Sequence, residues 1–450
     1  MSIYHDSEEE KLFIENLSKI CTDRRVIELD NVEPTKHEKI KITNIIMNFI
    51  KKKERIIYGG QAYHALIQDA SKGKDFIYND LDYPDVEFYT PYLKDDIIEL
   101  CRLLLDGGFT DIMAEEGVHP TTFRINVNLE TFADVSLYPE RYYNSIPSMC
   151  MEGYLYAEPT FMFIDVLKVY SYPINNYFRL TKTFKRANLL LKHYPIQFEA
   201  LATCEVINKY NCIIKRLIPQ TCIITDVAAY NVYVEQGYKK EYIFSLPYFV
   251  VLSVNYTDDV MMFKEKLTKQ FPNMKQRSFK PFLDYIGRRT DYYLEENNKK
   301  IILIQIFEEK HNCIPFFEHN NYKYTTFQTT LYYLFVARQK YVMDYKSYNH
   351  NIAKEKILIK ETMIQNLIKA KKEYFKKNSK KKMFESGPFQ EFVVNCIGDP
   401  IPSIRLSKQV LIKRKNKNQP MRYRYSPEAK NNKNFMNMVL KIHLGEEVKN

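Results

Sequence analysis

Three carboxylates stand within one stretch of the chain at spacings that suit metal-dependent chemistry on phosphates. Asp85 and Glu87 flank Val86 in the run YPDVEFYT. Because alternate side chains of a strand share a face, both carboxylates are predicted to point the same way. Asp134, in the later strand-like run FADVSLY, is the candidate third acid on that face. Such carboxylates repel one another unless a hard cation lies among them, and oxygen ligands suit Mg²⁺ or Mn²⁺.

A pair of glycines precedes the acids at the point where an apolar run gives way to a helix-like segment. Gly59 and Gly60 follow Tyr58 in the run IIYGGQAYHAL. Tight backbone with N–H groups at a helix N-terminus is suited to phosphate oxygens, so these three residues form the predicted nucleotide-binding loop. A metal site beside a phosphate loop indicates nucleotidyl transfer by two-metal catalysis. Asp80 and Asp82 form a rival acid pair, but they precede a turn-like DYP and rank below Asp85 and Glu87.

Composition favours a soluble globular protein of two or three domains, with 450 residues, 45% apolar and 27% charged. The eight cysteines are scattered without a C-x-x-C pair, which predicts buried thiols in a reducing compartment and neither a zinc site nor a disulfide framework. The acidic N-terminus has no apolar core of a signal peptide, and no apolar run reaches the ~18 residues of a membrane span. A cytoplasmic protein is expected, without membrane contact.

Positive charge is concentrated in the last third of the chain. Residues 346–450 contain 24 Lys and Arg against 9 Asp and Glu, and because the whole chain has 66 against 55, the remainder has 42 against 46. A long helix over residues 352–382 is predicted to end in a lysine-rich segment. A second basic run interleaves arginines with tyrosines, a composition that suits single-stranded RNA; the alternative is a disordered solubilising tail. Its predicted RNA-binding residues are Lys413, Arg414, Lys415, Arg422, Tyr423, Arg424 and Tyr425.

The chain repeats its pattern at an offset of 167 to 168 residues. The run CIITDVAAYNV parallels RIIYGGQAYHA, and NCIP parallels NSIP. A constant offset predicts a duplicated α/β domain. In the second copy the glycines become Asp226 and Val227, residues 247–256 hold no carboxylate, and Asp134 is aligned with Ile302. Because the glycines and all three acids vanish together, the first copy is predicted to be catalytic and the second structural.

The ordered motifs YGG, PDVEFYTP, ADVSLY and NSIP, followed by a basic helix ending LLLKHYP, resemble the poly(A) polymerases of nucleocytoplasmic large DNA viruses. The similarity to the giant-virus and asfarvirus forms covers residues 56–195. It implies an α/β (α+β) nucleotidyltransferase fold with a mixed sheet and flanking helices, in an active and a degenerate copy. Four regions are predicted: residues 1–54 (helical), 55–198 (catalytic), 199–345 (degenerate) and 346–450 (basic).

The resemblance also implies roles for particular residues. Asp85, Glu87 and Asp134 would bind two Mg²⁺ or Mn²⁺ ions, and the glycine loop would hold the triphosphate of ATP. Lys182, Lys185 and Arg186, on the basic helix, are candidates for phosphate contacts, although a solvated helix face is the alternative. Glu87 departs from the Asp that many nucleotidyltransferases have there.

The implied activity is template-independent addition of AMP from ATP to RNA 3′ ends. The giant-virus members are homodimers, whereas the poxvirus enzymes use a second protein, and the sequence does not decide between these assemblies. A cytoplasmic viral factory or the virion is the expected location. Alternatives are a CCA- or U-adding enzyme, a cyclic-dinucleotide synthase, and a non-catalytic RNA-binding subunit.

Overall fold

The computed structural model describes residues 7–117, 121–198, 208–237, 242–311, 313–348, 351–399 and 403–448. They form two compact units. The first comprises Met1–Glu158 and Leu411–Leu440, and the second comprises Pro159–Val410 and Lys441–Asn450. The chain is therefore divided at other points than the four predicted regions. Cys204, one of the eight cysteines, and Asn312, the first residue of the NCIP run, lie outside the described residues.

The first unit is a mixed sheet with helices. Its helices are α1 (Ser7–Asn31), α2 (Lys36–Lys53), α3 (Gly59–Ser71), α4 (Leu93–Asp106), α5 (Glu140–Tyr143) and, after the return of the chain, α14 (Lys433–Met436). Its strands are β1 (Ile56–Tyr58), β2 (Val86–Thr90), β3 (Met113–Glu116), β4 (Thr122–Val127), β5 (Glu130–Leu137), β6 (Ser148–Met151), β7 (Tyr154–Ala157) and β16 (Arg424–Tyr425). The strand order is β16-β3-β4-β5-β2-β1-β7-β6.

The second unit has the same construction. Its helices are α6 (Pro159–Ser171), α7 (Pro173–His193), α8 (Asn211–Leu217), α9 (Asp226–Gly237), α10 (Tyr256–Gln270), α11 (Phe327–Tyr348) and α12 (Asn351–Lys377), and α13 (Ser403–Asn416) crosses from this unit into the first. Its strands are β8 (Cys222–Thr225), β9 (Phe249–Ser253), β10 (Lys275–Phe279), β11 (Arg289–Glu296), β12 (Lys299–Glu308), β13 (Cys313–His319), β14 (Tyr322–Thr325) and β15 (Cys396–Gly398). The strand order is β10-β11-β12-β9-β8-β14-β13-β15.

The two sheets share the order and direction of seven strands. β3-β4-β5-β2-β1-β7-β6 matches β10-β11-β12-β9-β8-β14-β13, and each neighbouring pair is parallel or antiparallel in both copies alike. A buried aspartate recurs as well: Asp96 accepts a bond from the Thr90 hydroxyl, and Asp259 accepts one from the Ser253 hydroxyl. The predicted duplication and the mixed α/β fold are confirmed.

The register corrects one aligned pair. Gly59 and Asp226 both begin a helix directly after a strand, as predicted. However, Asp134 pairs with Glu87 in the first sheet, and the residue paired with the corresponding Val250 is Gln305. The alignment of Asp134 with Ile302 was therefore wrong by three residues. The hairpin of the second copy is longer: its paired residues Asp291 and Gln305 are 14 residues apart in the chain, whereas Arg124 and Asp134 are 10 apart.

Two other expectations need correction. The helix predicted over residues 352–382 ends at Lys377. The cysteines are not uniformly buried thiols: Cys313 and Cys396 form a disulfide between β13 and β15, and Cys21, Cys150 and Cys212 are exposed. Within the described ranges, no helix is long and apolar enough to span a membrane.

Candidate active site

The predicted carboxylates lie together on one face of the first sheet. Glu87 on β2 and Asp134 on β5 are direct partners in neighbouring parallel strands, and Tyr58 on β1 is the partner of Glu87 on the other side. Asp85 precedes β2 by one residue and shares the face of Glu87, since Val86 between them is fully buried. The next strand adds Arg124, the partner of Asp134. One row of side chains therefore crosses four strands.

Asp134 is buried beside both a carboxylate and a guanidinium. Burial raises its pKa to about 6, with a further contribution from the charge of Asp85, while Arg124 opposes the shift. Arg124 Nε lies 3.5 Å from Asp134 Oδ1, too far for a good hydrogen bond, and this buried oxygen has no hydrogen-bond partner. A buried carboxylate oxygen without a hydrogen-bond donor is chemically suited to be a ligand of a cation.

The glycine loop contacts the carboxylates directly. Gly59 has φ +67°, and a Cβ there would lie 1.8 Å from Glu87 Oε2. The backbone N–H of Gly60 donates a 2.6 Å hydrogen bond to the same oxygen. Only glycine fits at position 59, both for its left-handed backbone and for the closeness of Glu87. In this arrangement Glu87 occupies a donor at the start of α3 that was predicted to bind phosphate.

Hydroxyl and aromatic groups hold the row in place. The Tyr58 ring stacks on Tyr89 with centroids 4.0 Å apart, and its hydroxyl lies 2.7 Å from Ser136 Oγ. Ser136 Oγ is also 2.7 Å from Thr122 Oγ1, which ties β1, β5 and β4 together. Tyr58 was predicted to bind nucleotide; its contacts here support the site and leave that role a prediction.

A cavity of about 340 Å³ adjoins the site between α3 and the loop before β2. His64 Nδ1 accepts the N–H groups of Ile77 and Tyr78, both at 3.3 Å, so the neutral ring carries its proton on Nε2. Burial lowers the pKa of His64. The rival acids Asp80 and Asp82 line this cavity, away from the carboxylate row. This cavity was not predicted from the sequence.

The predicted phosphate-binding cations belong to the second unit. Lys182, Lys185 and Arg186 lie on α7, where Lys182 and Lys185 are exposed and Arg186 is half-buried. Their contact with nucleotide remains a prediction.

The basic run near the C-terminus is partly structural. Arg414 forms two bonds with the buried Glu116, at 2.5 and 2.7 Å, and its guanidinium lies over the Tyr423 ring. Tyr425 is 5% exposed and its ring packs on Phe435. These contacts give Arg414 and Tyr425 structural roles, and their predicted contact with RNA remains a prediction.

The other residues of this run remain accessible. Arg422 and Arg424 contact Glu115, at 3.3 and 2.8 Å, with 43% and 62% of their side chains exposed. Lys413 and Lys415 are exposed as well.

Asp85, Glu87 and Asp134 supply the oxygen donors that Mg²⁺ and Mn²⁺ prefer. In the part of the chain that the structure describes, no three His, Cys, Asp or Glu side chains already converge as a ligand set. Glu87 accepts the hydrogen bond of Gly60 N–H. The buried Asp134 Oδ1, which has no hydrogen-bond partner, nevertheless fits a ligand of a divalent cation at this face.

The second sheet carries the same row with different chemistry. Thr225, Val250, Gln305 and Asp291 replace Tyr58, Glu87, Asp134 and Arg124 at matching register positions. Asp291 is completely buried and is neutralised by Arg277 and Arg289, each with its Nε 2.9 Å from a carboxylate oxygen. Asp226, at the position of Gly59, keeps a left-handed backbone with φ +57° and forms a 2.5 Å ion pair with Lys360. The second copy keeps the backbone arrangement of this row, but residues without a carboxylate stand at the positions of Glu87 and Asp134.

Comparison with known proteins gives concordant results. Residues 44–176 match the family "Poly(A) polymerase catalytic subunit", and residues 188–441 match the C-terminal part of the APMV poly(A) polymerase catalytic subunit. The chain is 26% identical to the protein described as the poly(A) polymerase catalytic subunit of Acanthamoeba polyphaga mimivirus, over 94% of this chain and 78% of that one. It is 28% identical to the corresponding protein of African swine fever virus (strain Badajoz 1971 Vero-adapted), over 34% of this chain and 33% of that one.

The fold has a close match among solved structures. The polyadenylate synthase of Megavirus superposes with a TM-score of 0.89 at 23% identity, over 100% of this chain and 94% of that one. Since the two family matches together span most of the sequence, the chain belongs to the family of viral poly(A) polymerase catalytic subunits and is a nucleotidyltransferase that acts on RNA.

Proposed function

We propose that this enzyme transfers AMP from ATP to the 3′ end of RNA, with Asp85, Glu87 and Asp134 as the ligands of two Mg²⁺ or Mn²⁺ ions. The RNA 3′-oxygen attacks the α-phosphorus of ATP, the bond to the β-phosphate breaks, and pyrophosphate leaves. When bound, the ions lower the pKa of the 3′-hydroxyl and neutralise the charge that develops on pyrophosphate. The observation that carries the proposal is the in-register pairing of Glu87 with Asp134 on the face of Asp85.

The chain's own residues position the reactants in this proposal. The N–H of Gly60 donates to Glu87 Oε2. Glu87 would hold a metal ion by turning away from this N–H, which would then be able to donate to a triphosphate oxygen. Tyr58, Ser136 and Thr122 hold β1, β5 and β4 at fixed spacing, so the acids stay aligned with the loop.

A double substitution tests the assignment. D85N/E87Q removes two negative charges without changing side-chain size, and we expect AMP incorporation to fall by at least about 100-fold. Mn²⁺ binding, measured by calorimetry, should weaken in parallel, while RNA binding without ATP should be nearly unchanged. D69N, on the exposed side of α3, is the matched control. Normal polymerisation by the double variant would refute the assignment, and each of the four NTPs supplied singly would test the preference for ATP.

The lysine-rich end of α12 is a second surface proposed to hold RNA. Here the backbone leaves the helix at Lys377, and Phe384 is 69% exposed beside Lys382. The exposed lysines of this surface are Lys372, Lys376, Lys377, Lys380, Lys381 and Lys382. Cations for phosphates next to an aromatic ring for a base suit a single strand without sequence preference.

We infer that the enzyme is a homodimer and that α1 contributes to the interface. This helix of 25 residues exposes apolar side chains along most of its length, including Phe13, Leu17 and Ile27. Exposed apolar surface of this extent is typical of association sites. Light scattering of the wild type and of a variant with polar residues at these three positions tests the inference, since a dimer of unchanged stability in the variant would contradict it. We also propose that the enzyme acts in the cytoplasm of the infected cell or in the virion, and the viral origin of the relatives supports this proposal.

A further inference from the structure

The carboxylate row extends beyond Arg124 to the edge of the sheet. Glu115 on β3 is the register partner of Arg124, and Arg424 on β16 is the partner of Glu115. Residues that pair across neighbouring strands point to the same face. From β1 outwards the row therefore reads Tyr58, Glu87, Asp134, Arg124, Glu115 and Arg424. Its acidic half lies next to the glycine loop, and its arginines lie on the far side.

The position of the glycine loop gives this row a direction. The proposed triphosphate site lies at Gly59 and Gly60, directly after β1, so pyrophosphate leaves on the β1 side of the carboxylates. In phosphoryl transfer the attacking and leaving oxygens are roughly in line with the phosphorus. The attacking 3′-oxygen of RNA must then approach from the opposite side, over β5 and β4. Arg124 is the first cation met on that side.

Arg124 has the exposure that a substrate-binding residue needs. Its side chain is 52% exposed, and its closest contact with Asp134 is the 3.5 Å distance from Nε to Oδ1. The terminal nitrogens of the guanidinium can therefore take a phosphate in the bidentate geometry that arginine favours. A purely structural partner of Asp134 would be expected to bond it closely, as Arg414 does with Glu116.

The degenerate copy supplies an internal comparison. The residue at the register position of Arg124 is Asp291, which is buried and paired with two arginines. The copy that lost the acids has thus also lost the exposed arginine and placed an acid there. A structural requirement of the fold would have kept a cation in both copies. Arg124 is therefore present in the copy that has the carboxylates and absent from the copy that lacks them.

We propose that Arg124 binds the phosphodiester next to the 3′ end of the RNA, and that the strand runs outwards over β4, β3 and β16 past Arg424 and Arg422. The inference rests on the proposed function, since the direction follows from the triphosphate site. Glu115 contacts both Arg422 and Arg424, and its single negative charge balances only one of their two positive charges. This edge therefore keeps a net positive charge that attracts the RNA backbone. The sequence analysis grouped Arg422 and Arg424 with a tail, but missed that Arg424 ends this row and that Arg422 contacts Glu115 beside it.

The test pairs one substitution with one chemical change in the RNA. R124Q is compared with the wild type on a short RNA primer whose last linkage is a phosphate or a neutral methylphosphonate. Binding is measured by fluorescence anisotropy without ATP. The wild type should lose about tenfold in affinity when the last phosphate is neutralised, as expected for one charge-assisted contact. R124Q should bind the natural primer about as weakly as the wild type binds the modified one, and should respond less than twofold to the modification.

Two further measurements accompany the binding assay. The slope of log affinity against log salt should fall by about 0.7 in R124Q, because one counterion fewer is released. In steady-state assays the KM for RNA should rise while the KM for ATP stays unchanged. R102Q, which removes an exposed arginine from α4, is the matched control and should behave as the wild type does.

The outcomes separate this inference from the proposed function. If R124Q and the wild type lose equal affinity on methylphosphonate substitution, Arg124 does not contact that phosphate and the inference is wrong. The same holds if R124Q binds RNA as tightly as R102Q. These are binding measurements without turnover, so they stand whatever D85N/E87Q does to AMP incorporation.

Discussion

At the residue scale, Gly59 and Glu87 form the most closely fitted pair of the site. A methyl group at position 59 would overlap the Glu87 carboxylate and would also force an L-residue into a left-handed backbone. We therefore expect G59A to lower the free energy of unfolding by about 1–2 kcal/mol. Because Glu87 must move, AMP incorporation should fall by about 100-fold. Thermal unfolding and a primer-extension assay measure the two effects.

Another glycine separates the backbone cost from the clash. Gly73 has φ +77°, but a Cβ there would meet nothing within 4 Å. G73A should therefore show a similar loss of stability with normal activity. Equal activity losses in both variants would mean that strain, and not displacement of Glu87, limits the site.

The acids could be predicted from the sequence, whereas Arg124 could not. Asp85 and Glu87 lie two residues apart in one strand, so the period of the strand alone places them on one face. Asp134 required only that a second strand lie beside the first. Arg124 joins the row through the register of β4 with β5, which depends on a turn and a bulge between those strands. The available signal for its role was that Arg124 is a basic residue in the strand-like run just before the one that holds Asp134.

At the element scale, β16 completes the edge of the first sheet. The buried Glu116 accepts both terminal nitrogens of Arg414, and its own N–H donates to the Tyr423 carbonyl. R414Q would leave a carboxylate that is 3% exposed without its charge partner. We expect it to destabilise the protein by about 3 kcal/mol and to speed amide exchange at β3, measured by hydrogen–deuterium exchange.

The control for this prediction lies in the same run. R422Q removes a 3.3 Å contact of an exposed arginine with Glu115, and exposed pairs contribute about 1 kcal/mol or less. Its amide exchange at β3 should therefore stay near that of the wild type. If R414Q behaves in the same way, the segment 411–440 does not secure the sheet edge.

The function of the basic run was only partly predictable for a physical reason. Its charge is visible in the sequence, but the acids that neutralise part of it are Glu115 and Glu116, about 300 residues away in the chain. Composition counts cations and cannot tell which of them are paired. The same holds for Tyr425, whose ring reads as a stacking platform until the fold buries it against Phe435.

At the scale of the whole molecule, duplication explains why so much of the fold could be predicted. Each strand and helix could be recognised in two copies of the pattern. The second copy kept the buried strands although it lost the glycines and the carboxylates. The error in aligning Asp134 arose where the hairpin of β11 and β12 is longer than that of β4 and β5, because a constant offset cannot register an insertion. The catalytic assignment was unaffected, since Gln305, like Ile302, carries no carboxylate.

The vestigial site of the second sheet gives the last prediction. Asp226 and Lys360 form an ion pair with 24% and 10% of their side chains exposed, at the position where the first copy has Gly59 and the proposed phosphate loop. D226N and K360M should each destabilise the protein by about 1–3 kcal/mol, since each leaves a poorly solvated charge unpaired. The double variant should be more stable than the sum of the single losses predicts, by about 0.5–3 kcal/mol. Denaturation of the four proteins measures this coupling.

AMP incorporation per folded molecule should be the same in all four, because this site provides no catalytic donor. Additive losses, or a folded double variant without activity, would contradict the view that the pair only stabilises a site that has lost its chemistry.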